Sequence, residues 1–326
     1  MSAVAIADIH AAAERMRGVA IETPLIRHPA LDAAIGGSAF VKCETHQPVG
    51  SFKLRGAYNK IAAADPAIRS GGVIAYSSGN HAQGVAYAAA RFGVGATIVM
   101  PADAPKMKIA RTRRFGGTVV FYDRAGGEQR EPIGEAILAE QGGLLVRPYD
   151  DPHVIAGQGV CGLEIARQTA AVGQTLDLLL VCCGGGGLTA GCAIAMAAES
   201  PDTAVYAVEP ETHDDTARSL AAGERVANAA DAPPSICDAI MTPTPGALTF
   251  AINRKLLAGA LRVTDDEVRA AMAFAFRELK TVVEPGGAVA LAAALSGKVD
   301  TAGKTIGVVL SGGNVDADVY AAALAA

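Results

Sequence analysis

Gly50-Ser51-Phe52-Lys53-Leu54-Arg55-Gly56-Ala57 sets a lysine at the mouth of a helix, directly after an apolar strand and a turn. The strand is Phe40-Val41-Lys42-Cys43, the turn is Gln47-Pro48-Val49-Gly50, and the helix runs over about residues 54–64. A helix N-terminus carries partial positive charge. A lysine placed there loses its proton at lower cost than one in water. Once neutral, it is a nucleophile able to form a Schiff base with a carbonyl compound. The same residue could instead be a surface lysine with its stem lying along the helix start. The stretch alone leaves both open.

Working outward, strands and helices alternate. Val73-Ile74-Ala75-Tyr76 is a short apolar strand that ends in Ser77-Ser78-Gly79-Asn80-His81 and then a helix over 82–91. Strand 96–100 precedes a helix over 106–114, strand 118–121 precedes a helix over 128–141, and strand 144–146 closes this series. A second series follows: a helix over 157–171, the continuous apolar strand 176–183, a helix of small residues, and strand 204–208. Thr264-Asp265-Asp266-Glu267 has the form of a capping box and starts a helix to about residue 280. Strand 305–310 ends in Ser311-Gly312-Gly313-Asn314. Such alternation predicts an α/β fold of two domains, with parallel-rich twisted sheets covered by helices on both faces. The expected division is a large domain of residues 1–55 and 144–326 and a small one of residues 56–143.

Composition narrows the function. The chain has 326 residues, enough for two lobes, and a formal net charge of -5 without any Lys/Arg-rich run, which argues against nucleic acid as a partner. No apolar run reaches the roughly 18 residues needed to cross a membrane. The first 20 residues carry Asp8, Glu14, Arg15 and Arg17 in a helical pattern, unlike a signal peptide. A cytoplasmic protein is expected. Cysteines 43, 161, 182, 183, 192 and 237 form no Cys-x-x-Cys pair, so neither zinc nor disulfides are expected.

Three strands end in small polar loops, 77–81, 184–188 and 311–314. In open α/β sheets ligands bind at the carboxyl ends of strands, so these loops and Lys53 are candidates to surround one small molecule. Gly184-Gly185-Gly186-Gly187-Leu188 is the most legible of them. Without Cβ atoms its N–H groups can close around an anion, and the following helix adds its positive end. A competing assignment is a dinucleotide fingerprint, Gly185-x-Gly187-x-x-Ala190, with Glu209 at the end of the next strand as a ribose-binding acid. That would make the protein an NAD(P)-dependent oxidoreductase. Two features oppose it: four consecutive glycines exceed what the fingerprint needs, and the fingerprint usually opens the first βαβ unit.

The stretch 50–57, together with Ser77-Ser78-Gly79-Asn80-His81-Ala82-Gln83-Gly84, Gly184–Leu188 and Ser311-Gly312-Gly313-Asn314, resembles the serine/threonine dehydratase and serine racemase family. These are pyridoxal-phosphate enzymes of fold type II, similar to the tryptophan synthase β-subunit. The resemblance spans nearly the whole chain, with its motifs in order. It implies that Lys53 holds the cofactor and then serves as the base at Cα. It implies that Phe52 packs on the cofactor ring, Asn80 bonds its hydroxyl, and Ser311 faces the pyridine nitrogen. Gly184, Gly185, Gly186, Gly187 and Leu188 would supply N–H groups to the phosphate. Ser77, Ser78, Gly79, Asn80 and His81 would bind the substrate carboxylate, with Ser78 at the position that acts as the opposite-face acid in racemases. Ser77 and Asn80 could also cap the helix that follows, and His81 could be structural.

Looser matches complete the set. Glu209, His213 (through its carbonyl) and Asp215 have the spacing at which this family holds a divalent cation, Mg²⁺ or Ca²⁺; a solvated acidic turn is the alternative. Arg130 matches an arginine that reaches the pocket in serine racemases, where a guanidinium can clamp a second carboxylate. Ser235 is expected near the pocket. The implied activity is β-elimination of water from a 3-hydroxy-L-amino acid such as threonine or serine, giving a 2-keto acid and ammonia. The alternatives are 3-hydroxyaspartate dehydratase and serine racemase. A homodimer acting on a small amino acid is what the family implies.

Overall fold

The structure, a computed structural model, describes residues 4–77, 79–104, 106–123 and 126–325. Its strands are β1 (Leu25–Ile26), β2 (Ser38–Cys43), β3 (Val73–Tyr76), β4 (Ala96–Pro101), β5 (Gly117–Tyr122), β6 (Leu144–Leu145), β7 (Leu178–Cys182), β8 (Ala204–Pro210), β9 (Gly259–Val263) and β10 (Thr305–Leu310). Six of them form one sheet in the order β1-β2-β10-β7-β8-β9, and four form a second in the order β5-β4-β3-β6. The β1–β2 pair is antiparallel and the other ladders are parallel. Because β6 pairs with β3, the smaller sheet reaches past residue 143, the limit expected for the small domain.

The register of the larger sheet builds the site. β10 runs beside β2 from Thr305 opposite Ser38 to Leu310 opposite Cys43. On its other side Ile306 lies opposite Leu178 of β7. The carboxyl ends of three strands therefore finish side by side; β7 and β10 run into polar loops, and β2 leads through a short 3-10 turn, Glu44–His46, to the lysine stretch. These central strands are buried almost throughout, which is why they read as unbroken apolar runs rather than alternating ones.

Behind them lies the helix Pro285–Leu295, ten of whose eleven residues are buried. Proline at its first turn starts it at no cost in hydrogen bonds. Its Val, Leu and Ala side chains are apolar all round, so it sits inside the core rather than on it. Leu291 and Val289 are each 0% exposed, and burying such a side chain contributes about 1.5–3 kcal/mol. The next helix outward, Asp265–Arg277, starts with the expected capping box: Thr264 Oγ1 accepts from Glu267 N and Glu267 accepts from Thr264 N.

The helix Pro152–Ala171 starts earlier than the sequence suggested. Asp151 caps it by accepting from the N–H groups of His153 and Val154. The helices Lys53–Ala63 and Asn80–Arg91 cross closely at Gly84; a Cβ there would stand 3.1 Å from the Lys53 carbonyl carbon. Among the described residues, no helix is long and apolar enough to cross a membrane.

Candidate active site

Lys53 is the first residue of its helix, and the chain leading to it is zipped to the loop after β10. Ser51 bridges Gly312, Phe52 N donates to Ser311 O at 3.0 Å, and Gly313 N donates to Gly50 O at 2.9 Å. Lys53 Nζ donates to Pro148 O at 2.9 Å and stands 5.1 Å from the centroid of the Phe52 ring. Burial pulls its pKa down to about 8, against the opposing pull of Cys182 and Glu284. The amine is thus available in neutral form near physiological pH.

Lys53 projects into a cavity of about 450 Å³ that gathers most of the residues singled out in the sequence. Phe52, Ser77, Gly79, Asn80, His81, Arg130, Gly184 to Leu188 and Ser311 all line it. Ser78 lies outside the described residues. Ser235 is not itself a lining residue: its hydroxyl donates to Asp265 Oδ1 at 2.6 Å and accepts from Cys237 N, so it fastens the loop that leads to the lining residues 238–243 to a helix start.

The glycine run forms the floor. Among the described residues, the N–H groups of Gly184, Gly185 and Gly186 have no protein acceptor. The carbonyls are tied back instead: Thr249 Oγ1 donates to Gly185 O at 2.6 Å and Asn253 Nδ2 to Gly186 O. Tying the oxygens outward turns the N–H groups inward, at the start of the helix Gly187–Glu199. Gly186 has φ 89°, a left-handed conformation, and a Cβ there would meet Asn253 Nδ2 at 2.8 Å.

Opposite, Asn80 Nδ2 donates to Glu284 Oε1 at 2.5 Å and Asn80 Oδ1 accepts from Asn314 Nδ2 at 2.7 Å. Burial pushes the Glu284 carboxyl up to about 7, while Lys108 pulls it the other way. His81 Nε2 is bonded to Val146 O at 2.8 Å, and burial with the nearby Lys53 charge brings its pKa down to about 3. It is a neutral imidazole donating through Nε2. Ser311 is 4% exposed and its Oγ accepts from Cys182 Sγ at 3.1 Å. Arg130 stands 5.5 Å over the Tyr76 ring and pairs with Glu131 at 2.9 Å. Lys108 pairs with Asp238 across the cavity.

Glu284, Tyr149, Lys108, Asp238 and Cys182 all line this cavity and were not singled out in the sequence as site residues. Of these, only Glu284 left a local signal, an acid immediately before a helix-starting proline.

These features agree with what is found in known proteins. A family model described as "Pyridoxal-phosphate dependent enzyme" matches residues 17–312. The chain belongs to the pyridoxal-phosphate dependent enzyme family. It is 45% identical over 317 residues to an L-threo-3-hydroxyaspartate ammonia-lyase from Pseudomonas sp, covering 97% of each chain. It is 39% identical to a serine racemase of Schizosaccharomyces pombe, covering 96% of this chain and 95% of that one. Among solved structures, a threonine deaminase from T.th. superposes with a TM-score of 0.90 at 42% identity, over 96% of this chain and 99% of the other. The family's cofactor fits what the site offers. An aldehyde would meet the Lys53 amine, a phosphate would meet unpartnered N–H groups, and the ring would meet the hydroxyl of Ser311 and the amide of Asn80.

Of the three residues expected to bind a cation, Glu209 lies near the end of β8, beside β7, and His213 and Asp215 follow it. Both Glu209 oxygens accept backbone N–H groups, from Thr216 and Ala217 at 2.9 Å each. Burial, with Asp215 beside it, pushes Glu209 up to about 8, and burial pushes Asp215 up to about 6. Asp215 Oδ1 accepts from Asn228, whereas its buried Oδ2 has no partner. His213 Nδ1 is within 3.1 Å of Thr212 Oγ1. Among the described residues, no group of three or more His, Cys, Asp and Glu side chains is set to hold a metal.

Proposed function

We propose that this protein is an ammonia-lyase that removes water and ammonia from a 3-hydroxy-L-amino acid, with 3-hydroxyaspartate as the substrate its cavity suits best. One observation carries the proposal: a depressed-pKa amine, Lys53, shares a single cavity with an N–H cup and with the cationic side chain of Arg130. The likeness to a 3-hydroxyaspartate ammonia-lyase supports the same choice.

When bound, the cofactor supplies an electron sink that acidifies the Cα–H bond of an amino acid joined to it through its amine. The protein supplies the rest. Lys53 would hold the aldehyde at rest and, once displaced by the substrate amine, take the Cα proton on Nζ. The loop 77–81, with the start of the helix Asn80–Arg91, would hold the α-carboxylate. Arg130 would hold a side-chain carboxylate in two-point fashion. The β-hydroxyl would leave as water, its proton matching the one that Lys53 removes from Cα. The released enamine hydrolyses to a keto acid and ammonia: oxaloacetate from 3-hydroxyaspartate, 2-oxobutanoate from threonine, pyruvate from serine.

Ser311 offers the ring nitrogen a neutral hydroxyl rather than a carboxylate. A cofactor held there would draw less charge from Cα than one paired with a carboxylate, which would suit β-elimination.

The remaining parts of the proposal concern assembly. Glu209, Asp215 and the His213 carbonyl would bind Mg²⁺ or Ca²⁺, a set of hard oxygen donors; the support is the unpartnered Asp215 Oδ2 beside a second buried carboxylate. The lobe about residues 56–143 would act as one unit over the cavity, and the enzyme would work as a homodimer in the cytoplasm. All six cysteines are unpaired and buried, as suits a reducing compartment.

The test is a screen of serine, threonine and both diastereomers of 3-hydroxyaspartate for keto acid release by the purified holoenzyme, with chiral analysis of recovered serine. Release of oxaloacetate at the highest kcat/KM is expected. No keto acid from any of the four, or recovered D-serine exceeding pyruvate, would defeat the proposal.

A further inference from the structure

Cys182 ends β7, two residues before the glycine cup, and forms part of the cavity wall. Its carbonyl accepts from Thr189 Oγ1 at 3.1 Å, which fixes the strand end. Among the described residues, its Sγ is the one side-chain partner of the Ser311 hydroxyl, at 3.1 Å. A hydroxyl has one proton to give and two lone pairs to receive with. Which way Ser311 directs its proton therefore depends on what its neighbour does. The thiol keeps its own proton, because burial pushes its pKa up to about 11. A protonated thiol beside a hydroxyl oxygen can donate to it.

We infer that Cys182 is a positioning residue: by donating its S–H to Ser311 Oγ it turns the Ser311 proton into the cavity, where Ser311 meets the cofactor's ring nitrogen as a donor. The inference rests on the Ser311 role in the proposed function. A nitrogen that accepts a hydrogen bond from a neutral hydroxyl stays unprotonated. A cofactor held so would draw less charge from Cα, which would favour loss of the β-hydroxyl over return of the proton to Cα. Cys182 thereby biases the site toward elimination without touching the substrate.

Infrared spectra of the cofactor-free protein read the S–H stretch, in a window where other protein groups do not absorb. The difference between wild type and Cys182→Ala assigns the Cys182 band, and Ser311→Ala is expected to move that band to higher frequency as the acceptor is lost. In the holoenzyme, Cys182→Ala is expected to alter the cofactor absorption spectrum and to weaken pyridoxal phosphate binding about three- to fivefold, the effect of one modest hydrogen bond. Cys182→Ser keeps a donor and is expected to restore both. The ratio of D-serine to pyruvate formed from L-serine is expected to rise in Cys182→Ala. A Cys182 band unmoved by Ser311→Ala, or a Cys182→Ala holoenzyme with the wild-type spectrum and affinity, overturns the inference. Because the infrared experiment needs no cofactor, its failure is distinct from failure of the functional proposal, which shows as a wild-type protein that releases no keto acid.

Discussion

Replacing Arg55 by Met should destabilise the protein by about 3–5 kcal/mol, the cost of stranding a buried charge. Arg55 is 1% exposed and grips two carboxylates at once. Its Nε and Nη2 donate to Glu44 and its Nη1 and Nη2 to Glu164, all four at 2.7 Å. Lys42, 0% exposed, adds a 2.6 Å pair with Glu164. Two cations thus balance two anions. Burial alone would raise the Glu44 pKa, but the charge and hydrogen bonds of Arg55, with help from Lys42, hold it below the usual carboxylate range.

Without Arg55 the cluster carries an excess negative charge in the core. The thermal midpoint should fall by about 4–7 °C for a chain of this size, whose unfolding entropy grows with its length. Glu44→Gln added to Arg55→Met leaves the neutral Lys42–Glu164 pair and restores balance. The double variant should therefore be more stable than the sum of the two single losses, with a coupling of about 1–3 kcal/mol. Thermal and urea unfolding of all four proteins measure it. A double variant that is merely additive would show that the four charges are not acting as one unit. Arg55 lies two residues beyond Lys53 on the same helix, so the single change should also weaken cofactor binding.

Other outcomes follow from the site. Lys53→Ala should lose both cofactor absorbance and keto acid release. In the cofactor-free wild type, amine-directed labelling of Lys53 should rise with a midpoint near pH 8, and a midpoint near 10.5, the ordinary lysine value, would refute the depressed pKa. Because the unfolded chain holds this proton to higher pH, the cofactor-free protein should gain stability relative to Lys53→Met as pH rises above about 8. Arg130→Ala should raise KM for 3-hydroxyaspartate about 10- to 100-fold, the worth of a charged two-point contact, while serine turnover changes little; equal losses on both substrates would deny Arg130 a specificity role. After exhaustive chelation, Mg²⁺ or Ca²⁺ at a hundredfold excess over its dissociation constant should stabilise wild type by about 2.7 kcal/mol and leave Glu209→Ala unmoved; an unchanged midpoint in wild type would remove the cation site.

Much of the architecture was legible because its signals are local. Strands 73–76 and 305–310 stand where the sequence put them, since each is a closed apolar run cut off by serine and glycine. β9 was missed: Gly259–Val263 is a half-exposed edge strand carrying Arg262, and neither a run nor an alternation marks it. The Pro285–Leu295 helix was missed for the opposite reason, having no polar face to give it a period. In the site, the residues read in advance were those that sit in short motifs. Glu284 and Asn80 are 204 positions apart and meet only in the folded chain, at 2.5 Å. Lys108 and Asp238 are likewise brought together by the packing of distant elements. No spacing rule within one sequence reports such pairs. Ser235 gives its hydroxyl proton to Asp265, a partner 30 positions away that no local pattern announces.

The place of β10 between β2 and β7 has a consequence for biosynthesis. Lys53 leaves the ribosome long before the backbone that fixes it, residues 311–313, is made. Until then the larger sheet is two unjoined halves, and its nascent edge strands expose unpaired ladders. The reactive amine therefore acquires its bearing only once residues 311–313 have been made and have docked against residues 50–52.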